Sequence, residues 1–250
     1  MPYTILATSK NPALVIYVLD VSASMQHPLG ANRRLDVVMK ALDAAIRQMV
    51  FRSTKGTRVA PRYRIAMLAY SDGVFDLLDG IKTVEQVASL GVPKLQTQRS
   101  TDTAKVFSYV EQMLQKELPN LAGCPAPLVC HMTDGEYTGA DPEPIARRIM
   151  KLANDDGNVL IENIFISDMV LDEAISHPNQ WPGITQTTKL KTDYAKKLRA
   201  ISSPLPEGYR VMMLESGYQM ASNAVMMLPG ISPELVEMGF VMSTATPIAR

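Results

Sequence analysis

The sequence is poor in the residues that mark secreted or nucleic-acid-binding proteins. It contains two cysteines, Cys124 and Cys130, and one tryptophan among 250 residues. Two cysteines exclude a disulfide framework, and we expect both as free thiols in a reducing compartment. The 25 Lys and Arg residues balance the 25 Asp and Glu residues, and the basic residues form no long run. The charge pattern therefore predicts neither nucleic-acid binding nor membrane binding.

Long hydrophobic segments are also missing. No segment approaches the roughly 18 apolar residues that cross a bilayer, and the first twenty residues lack the three regions of a signal peptide. We therefore expect a cytoplasmic location. The hydrophobic fraction is 46%, which is ordinary for a globular protein. The length fits one domain over residues 1–250.

Four short apolar segments have the pattern of strands buried on both faces. They are rich in β-branched residues and are bounded by polar or turn-forming residues. They cover residues 14–19, 64–70, 127–132 and 159–166. A fifth segment, residues 74–78, follows the turn-forming Ser71-Asp-Gly sequence, which predicts an antiparallel edge strand.

Segments with helical spacing of apolar residues alternate with these strands. They cover residues 32–51, 84–90, 102–118, 144–154 and 193–201, and Asn32 is expected to cap the first helix. This alternation predicts an α/β fold: a doubly wound, mostly parallel sheet with one antiparallel edge strand and helices on both faces.

The second half of the chain gives weaker patterns. Residues 167–192, which include Trp181, have mixed composition and are interpreted as a loop insertion. Residues 209–214 are predicted as a last strand and residues 218–228 as a last helix, followed by an extended C-terminal tail.

Small oxygen-bearing side chains follow two of the predicted strands and precede one predicted helix. Asp20, Ser22 and Ser24 follow the first strand, Asp134 follows the third, and Thr101 precedes the helix at 102–118. Ligand sites of open α/β sheets lie beyond the carboxyl ends of the strands. Oxygen ligands suit a hard cation such as Mg²⁺, and a set without His or Cys argues against zinc.

Three motifs in this order resemble the von Willebrand factor A (vWA) family over residues 12–230. They are D-x-S-x-S from Asp20, T-x-T from Thr101, and T-D-G-E from Thr133. In that family they form the metal-ion-dependent adhesion site. The resemblance implies a vWA fold and a Mg²⁺ or Mn²⁺ ion held by this set.

The resemblance also implies a role for each side chain. Ser22, Ser24 and Thr101 would coordinate the ion directly, and Asp20 and Asp134 directly or through water. Thr103 remains the alternative to Thr101, although the second threonine of the family pattern more often caps the helix. One coordination position would be left for an Asp or Glu of a protein partner.

The segments 201–206 (ISSPLP) and 222–228 (SNAVMML) resemble stand-alone bacterial vWA proteins associated with tellurium resistance. That resemblance implies a cytoplasmic signalling, stress or phage-defence system with a protein kinase and a PPM-type phosphatase as partners. An adaptor for an AAA+ ATPase is the alternative.

A metal-dependent phosphatase is the competing function. Mg²⁺ can activate water, but the sequence offers no second carboxylate cluster and no evident base beside the serines. Only His27 and His131 are candidate bases, and His131 is expected to be buried within its strand. No glycine-rich nucleotide-binding loop follows the first strand. The sequence thus predicts a binding module, with no catalytic residue and no cofactor other than the metal ion.

Overall fold

The structure is a computed structural model that describes residues 2–248. Its centre is a seven-stranded sheet in which the strands run in the spatial order β7-β6-β5-β1-β2-β3, with β4 also paired to β2. The strands are β1 (Ala13–Asp20), β2 (Tyr63–Tyr70), β3 (Val74–Asp76), β4 (Lys82–Thr83), β5 (Leu128–Thr133), β6 (Leu160–Phe165) and β7 (Met227–Pro229).

The predicted fold class is confirmed. All pairs among β7, β6, β5, β1 and β2 are parallel. The short strands β3 and β4 are antiparallel to β2 and lie one after the other along its free edge. They occupy the position of the single antiparallel edge strand that the turn at Ser71 predicts.

Within residues 2–248, seven α-helices cover the two faces of the sheet. They are α1 (Arg34–Ser53), α2 (Val84–Leu90), α3 (Thr103–Glu117), α4 (Glu143–Ile149), α5 (Asp193–Ala200), α6 (Glu207–Glu215) and α7 (Pro233–Ser243). Buried residues of α1, α2, α6 and α7 share one core, and those of α3, α4 and α5 share the other. The sheet is therefore apolar on both faces, which explains why its inner strands read as continuous apolar segments.

The first strand shows how the sequence places residues in the two cores. Every residue of β1 is buried. Because side chains alternate across a strand, Val15 and Tyr17 enter the core under α1, while Leu14 and Ile16 enter the core under α3.

Two predictions for the second half are wrong. Residues 209–214 belong to helix α6, with Tyr209 and Met213 buried at i, i+4 spacing. Residues 218–228 form no helix and lead into β7. There Val225 and Met227 enter one core while Met226 enters the other. This period of two is that of a strand, and a short apolar segment does not reveal it without its neighbours.

Two helix boundaries also differ from prediction. Helix α1 begins at Arg34, and Asn32 lies in a small hairpin of Pro28–Leu29 with Asn32–Arg33 instead of capping the helix. Helix α4 ends at Ile149, short of the predicted residue 154. Asn154 instead turns its side-chain amide to the carbonyls of Leu121, Cys124 and Pro125.

The remaining regions complete the two cores. Residues 167–192 carry one short 3₁₀ helix, Pro178–Gln180, and isolated bridges such as Leu171 with Leu190. Near the C-terminus, Phe240 of α7 stacks on Tyr17 at a ring-centroid distance of 5.9 Å. Both cysteines are buried free thiols. The assignment of the whole chain to one domain stays a prediction.

No helix within residues 2–248 is both long enough and apolar enough to cross a bilayer.

Candidate metal centre

The candidate site lies at the carboxyl ends of two adjacent parallel strands. Asp20 is the last residue of β1, and Asp134 directly follows β5. The register pairs Leu19 with Met132, so both carboxylates leave the sheet side by side. Two strand ends that are far apart in sequence thus bring two acidic residues together, as the sequence predicts.

The two serines converge on one oxygen of Asp134. The Ser24 hydroxyl donates to Asp134 Oδ1 at 2.6 Å, and the Ser22 hydroxyl lies 3.5 Å from the same oxygen. The two hydroxyl oxygens are 3.0 Å apart. Ser22 precedes the 3₁₀ turn Ala23–Gln26 and makes no side-chain capping bond. Both hydroxyls therefore face the carboxylate and do not cap the turn.

Asp20 fixes the backbone of Ser22 next to the end of β5. Its Oδ1 accepts the Ser22 N–H at 2.8 Å, and its Oδ2 accepts the Thr133 hydroxyl at 2.7 Å. Burial raises the pKa of Asp20 to about 6, and the hydrogen bonds from Ser22 and Thr133 oppose that rise. Since both oxygens already accept protein hydrogen bonds, the geometry favours a role through water or through Ser22.

Thr101 lies in the loop before α3, buried, and its backbone is fixed by Thr138. The Thr138 N–H and hydroxyl both donate to the Thr101 carbonyl, at 2.8 and 3.1 Å. The Asp102 N–H donates to the Ser71 carbonyl at 2.7 Å, which ties the loop to the end of β2. Within the described residues, the Thr101 hydroxyl makes no hydrogen bond, to the serines or elsewhere, and is thus free to accept a cation.

Thr103 is placed differently. It is the first residue of α3, and its buried hydroxyl lies 3.5 Å from the Tyr70 hydroxyl. The helix cap is Asp102, whose carboxylate accepts the Lys105 N–H at 3.0 Å. The expectation that the second threonine caps the helix is therefore wrong. Thr101 remains our preferred ligand over Thr103, and the choice stays a prediction.

Arg34 is a member of the site that sequence reasoning missed. Its Nη1 lies 2.8 Å from Asp134 Oδ2, the oxygen that the serines do not use. The sequence does not reveal this role, because it does not show that α1 begins at Arg34. At that position the arginine faces the positive end of the helix dipole, and a nearby carboxylate offsets the repulsion.

A buried histidine lies below the site. The Asn163 amide donates to Ser202 at 2.9 Å, which leaves its carbonyl oxygen to accept His131 Nδ1–H at 2.8 Å. The other ring nitrogen then accepts the Tyr70 hydroxyl at 2.8 Å. Burial lowers the pKa of His131 to about 4. As predicted, His131 is a buried, hydrogen-bonded side chain.

The donor set fits a hard cation. Residues 2–248 hold no cluster of three or more His, Cys, Asp and Glu side chains arranged for a metal, so this centre depends on hydroxyl oxygens beside two carboxylates. Mg²⁺ prefers oxygen ligands, uses one or two carboxylates and retains waters. Hydroxyls that converge on a buried carboxylate meet that requirement.

Comparison with known proteins identifies the fold. No protein-family model matches the sequence, and no curated protein matches it significantly. Solved structures do match. The PilB minor pilin from Streptococcus sanguinis has a TM-score of 0.56 at 11% identity, covering 92% of this chain and 60% of that chain. The SpRpn10 VWA domain has a TM-score of 0.50 at 11% identity, covering 90% of this chain and 92% of that chain.

The chain has the vWA fold. Identities this low establish the fold alone, and function must be argued from the site itself. In the vWA fold of this chain, Asp20, Ser22, Ser24 and Asp134 meet at the carboxyl edge of the sheet.

Proposed function

We propose that this vWA domain is a cation-dependent protein-binding module. The observation that carries the proposal is the convergence of the Ser22 and Ser24 hydroxyls on Asp134 Oδ1 at the carboxyl edge of the sheet. Hydroxyls gathered around one carboxylate oxygen form a ready set of ligands for a hard cation. Asp20 fixes the loop that carries both serines.

Mg²⁺ is the proposed ion, with Mn²⁺ as the alternative. The ion would be held by Ser22, Ser24, Thr101 and Asp134. Asp20 would act through water or through Ser22. When bound, the ion supplies a positive charge with an open coordination position. A carboxylate from an Asp or Glu of the partner protein fits that position, because carboxylate oxygen is a strong ligand for Mg²⁺.

Binding is favoured over catalysis by the surroundings of the serines. A serine nucleophile needs an adjacent base, and no histidine of residues 2–248 is hydrogen-bonded to either serine. His131 is occupied by Tyr70 and Asn163. A metal-dependent phosphatase is the second candidate function, because it would use the same ion. Assay of phosphatase activity with Mg²⁺ and with Mn²⁺ tests it, and turnover lost in Ser22→Ala would favour the enzyme.

The wider context stays a prediction from the sequence. We propose a cytoplasmic bacterial signalling, stress or phage-defence system, with a protein kinase or PPM-type phosphatase as partner, and an AAA+ ATPase as the alternative partner. Pull-downs with purified candidates of each class, in Mg²⁺ and in EDTA, distinguish them.

Isothermal titration with Mg²⁺ and Mn²⁺ tests the module itself. Wild type should bind one ion, and Ser22→Ala and Asp134→Asn should each lower the affinity at least about tenfold, about 1.4 kcal/mol. Ser89→Ala is the matched control, because Ser89 is exposed on α2 and its hydroxyl donates to the Glu85 carbonyl of the same helix. Equal ion binding by wild type and both site variants would show that the cation binds elsewhere.

A further inference from the structure

The two oxygens of Asp134 face different partners. Oδ1 accepts the Ser24 hydroxyl at 2.6 Å, while Oδ2 lies 2.8 Å from Arg34 Nη1. The Asp134 side chain is fully buried, and the Arg34 side chain is 20% exposed. A charge pair with so little solvent contact is weakly screened by salt. The guanidinium therefore acts on whatever binds at the opposite oxygen.

Arg34 is held in this position by its place in the fold. It opens α1, and its N–H donates to the His27 carbonyl at 2.9 Å. Its Nε is buried and, within the described residues, has no hydrogen-bond partner. The unpaired Nε and the unfavourable helix dipole both cost free energy at this position, and the contact with Asp134 Oδ2 offsets that cost.

The charge balance of the site depends on Arg34. Among the groups joined by the hydrogen bonds of the site, Asp20 and Asp134 supply two negative charges, and Arg34 supplies one positive charge. With a divalent cation added, the site carries one net positive charge. Without the guanidinium, the same site would be neutral. A net positive centre attracts a carboxylate, whereas a neutral one depends on the open coordination position alone.

We propose that Arg34 sets the selectivity of the site for an acidic partner group. It weakens the binding of the divalent cation through repulsion, and it leaves the cation-loaded site positively charged, which strengthens the binding of a carboxylate. This inference rests on the proposed function. It predicts effects of opposite sign on two measurements, which a purely structural role of Arg34 would not produce.

Replacement of Arg34 is sterically feasible. Its side chain borders a cavity of about 150 Å³, which is also lined by Ser167 and Asp168. A shorter or uncharged side chain therefore meets open space and does not overpack the core. Arg34→Gln and Arg34→Met both remove the charge, so either variant that folds serves the test. Arg34→Lys keeps the charge.

The first measurement is isothermal titration with Mn²⁺ as the probe, at low ionic strength. Arg34→Gln and Arg34→Met should bind Mn²⁺ about tenfold more tightly than wild type, because a nearby like charge is gone. Arg34→Lys should stay within about threefold of wild type. Arg33→Gln is the matched control, because Arg33 is exposed and pairs with Asp36 on the surface at 2.7 Å. It should change the affinity less than about twofold.

The second measurement repeats the titration in acetate, the simplest carboxylate probe, against the same concentration of chloride. Acetate bound to the loaded site tightens the apparent affinity for Mn²⁺ by linkage. The tightening should be several-fold greater in wild type than in Arg34→Gln, although Arg34→Gln binds the bare ion more tightly.

The outcomes distinguish a failure of this inference from a failure of the proposed function. If wild type binds Mn²⁺ and the two uncharged variants, Arg34→Gln and Arg34→Met, bind it equally or more weakly, the inference is overturned while the metal site stands. An acetate effect that is equal in wild type and Arg34→Gln overturns the carboxylate selectivity. If neither wild type nor any Arg34 variant binds Mn²⁺, the proposed function fails, and this inference fails with it.

Discussion

The Thr133 hydroxyl donates a hydrogen bond of 2.7 Å to Oδ2 of Asp20, joining the end of β5 to the end of β1. Asp20 is fully buried, and its pKa is raised to about 6 mainly by that burial. A neutral donor from the neighbouring strand therefore stabilises a carboxylate that the protein interior disfavours. The motif T-D-G-E supplies both this donor, Thr133, and the site carboxylate, Asp134.

Replacing Thr133 with valine should destabilise the protein, because the buried Asp20 carboxylate loses a hydrogen-bond donor. Valine keeps the shape and removes the donor, so the free energy of unfolding at neutral pH should fall by about 1–3 kcal/mol. Urea unfolding measures it. Thr57→Val, in an exposed turn, is the control and should change the free energy by less than about 0.5 kcal/mol. A loss no larger than that of the control would mean that Thr133 does not stabilise Asp20.

The choice between Thr101 and Thr103 can be settled by a matched pair of substitutions. The Thr101 hydroxyl has no hydrogen-bond partner among the described residues, whereas the Thr103 hydroxyl lies 3.5 Å from Tyr70. Thr101→Val should lower the Mg²⁺ affinity about tenfold, by loss of a ligand, with little change in stability. Thr103→Val should leave the affinity nearly unchanged. The reverse result in a Mg²⁺ titration would assign the ligand to Thr103.

Much of the site could be predicted because its residues follow buried strands. Asp20 and Asp134 lie at strand ends that periodicity alone locates, and parallel pairing brings such ends to one edge. Arg34 is not predicted as a site residue, because the sequence pattern places the helix cap at Asn32. Only the three-dimensional path of the hairpin before α1 shows that the helix begins at Arg34.

In the second half of the chain, the predicted strand and the predicted helix are wrong for a different reason. Short apolar segments carry little periodicity, so residues 209–214 and 218–228 could each fit either structure. Tertiary contacts decide between them. Tyr209 bonds to Thr246 at 2.8 Å as part of α6, and Met227 pairs with Asn163 of β6 in the sheet. Neither contact is visible in the local sequence.

His131 should make stability depend on pH. Its pKa is about 4 in the fold, against 6.5 for the free side chain, because burial disfavours the charged ring. As the pH falls from 6.5 towards 4, His131 becomes protonated in the unfolded chain but stays neutral in the folded chain. The contribution of His131 to stability therefore falls by about 1.4 kcal/mol per pH unit in that window.

Comparison of variants isolates this effect. In urea unfolding from pH 8 to pH 4.5, the stability difference between wild type and His131→Gln should be constant above pH 6.5 and should narrow below it. Val110→Ala, in the same core, removes no titrating group. The stability difference between this variant and wild type should therefore stay constant over the whole pH range. A His131→Gln difference that is independent of pH would contradict the buried neutral histidine.

Glu162 should lower the free energy of unfolding as the pH rises. It lies in the middle of β6, fully buried, and among the described residues its carboxyl group faces only a weak donor, the thiol of Cys130 on the paired strand β5. Burial raises its pKa well above 4.5, so the folded chain keeps its proton while the unfolded chain releases it. Above about pH 4.5, each pH unit therefore costs about 1.4 kcal/mol of stability, until the folded pKa is reached.

Glu162→Met should consequently stabilise the protein at pH 8, and the gain over wild type should grow between pH 5 and pH 8. Urea unfolding at several pH values measures both the gain and its slope. Glu162→Gln is the matched variant. It removes the same titration and should show the same slope, but from a lower starting stability, because an unpaired amide is costly to bury. A gain that does not grow with pH in either variant would mean that Glu162 is ionised in the folded protein.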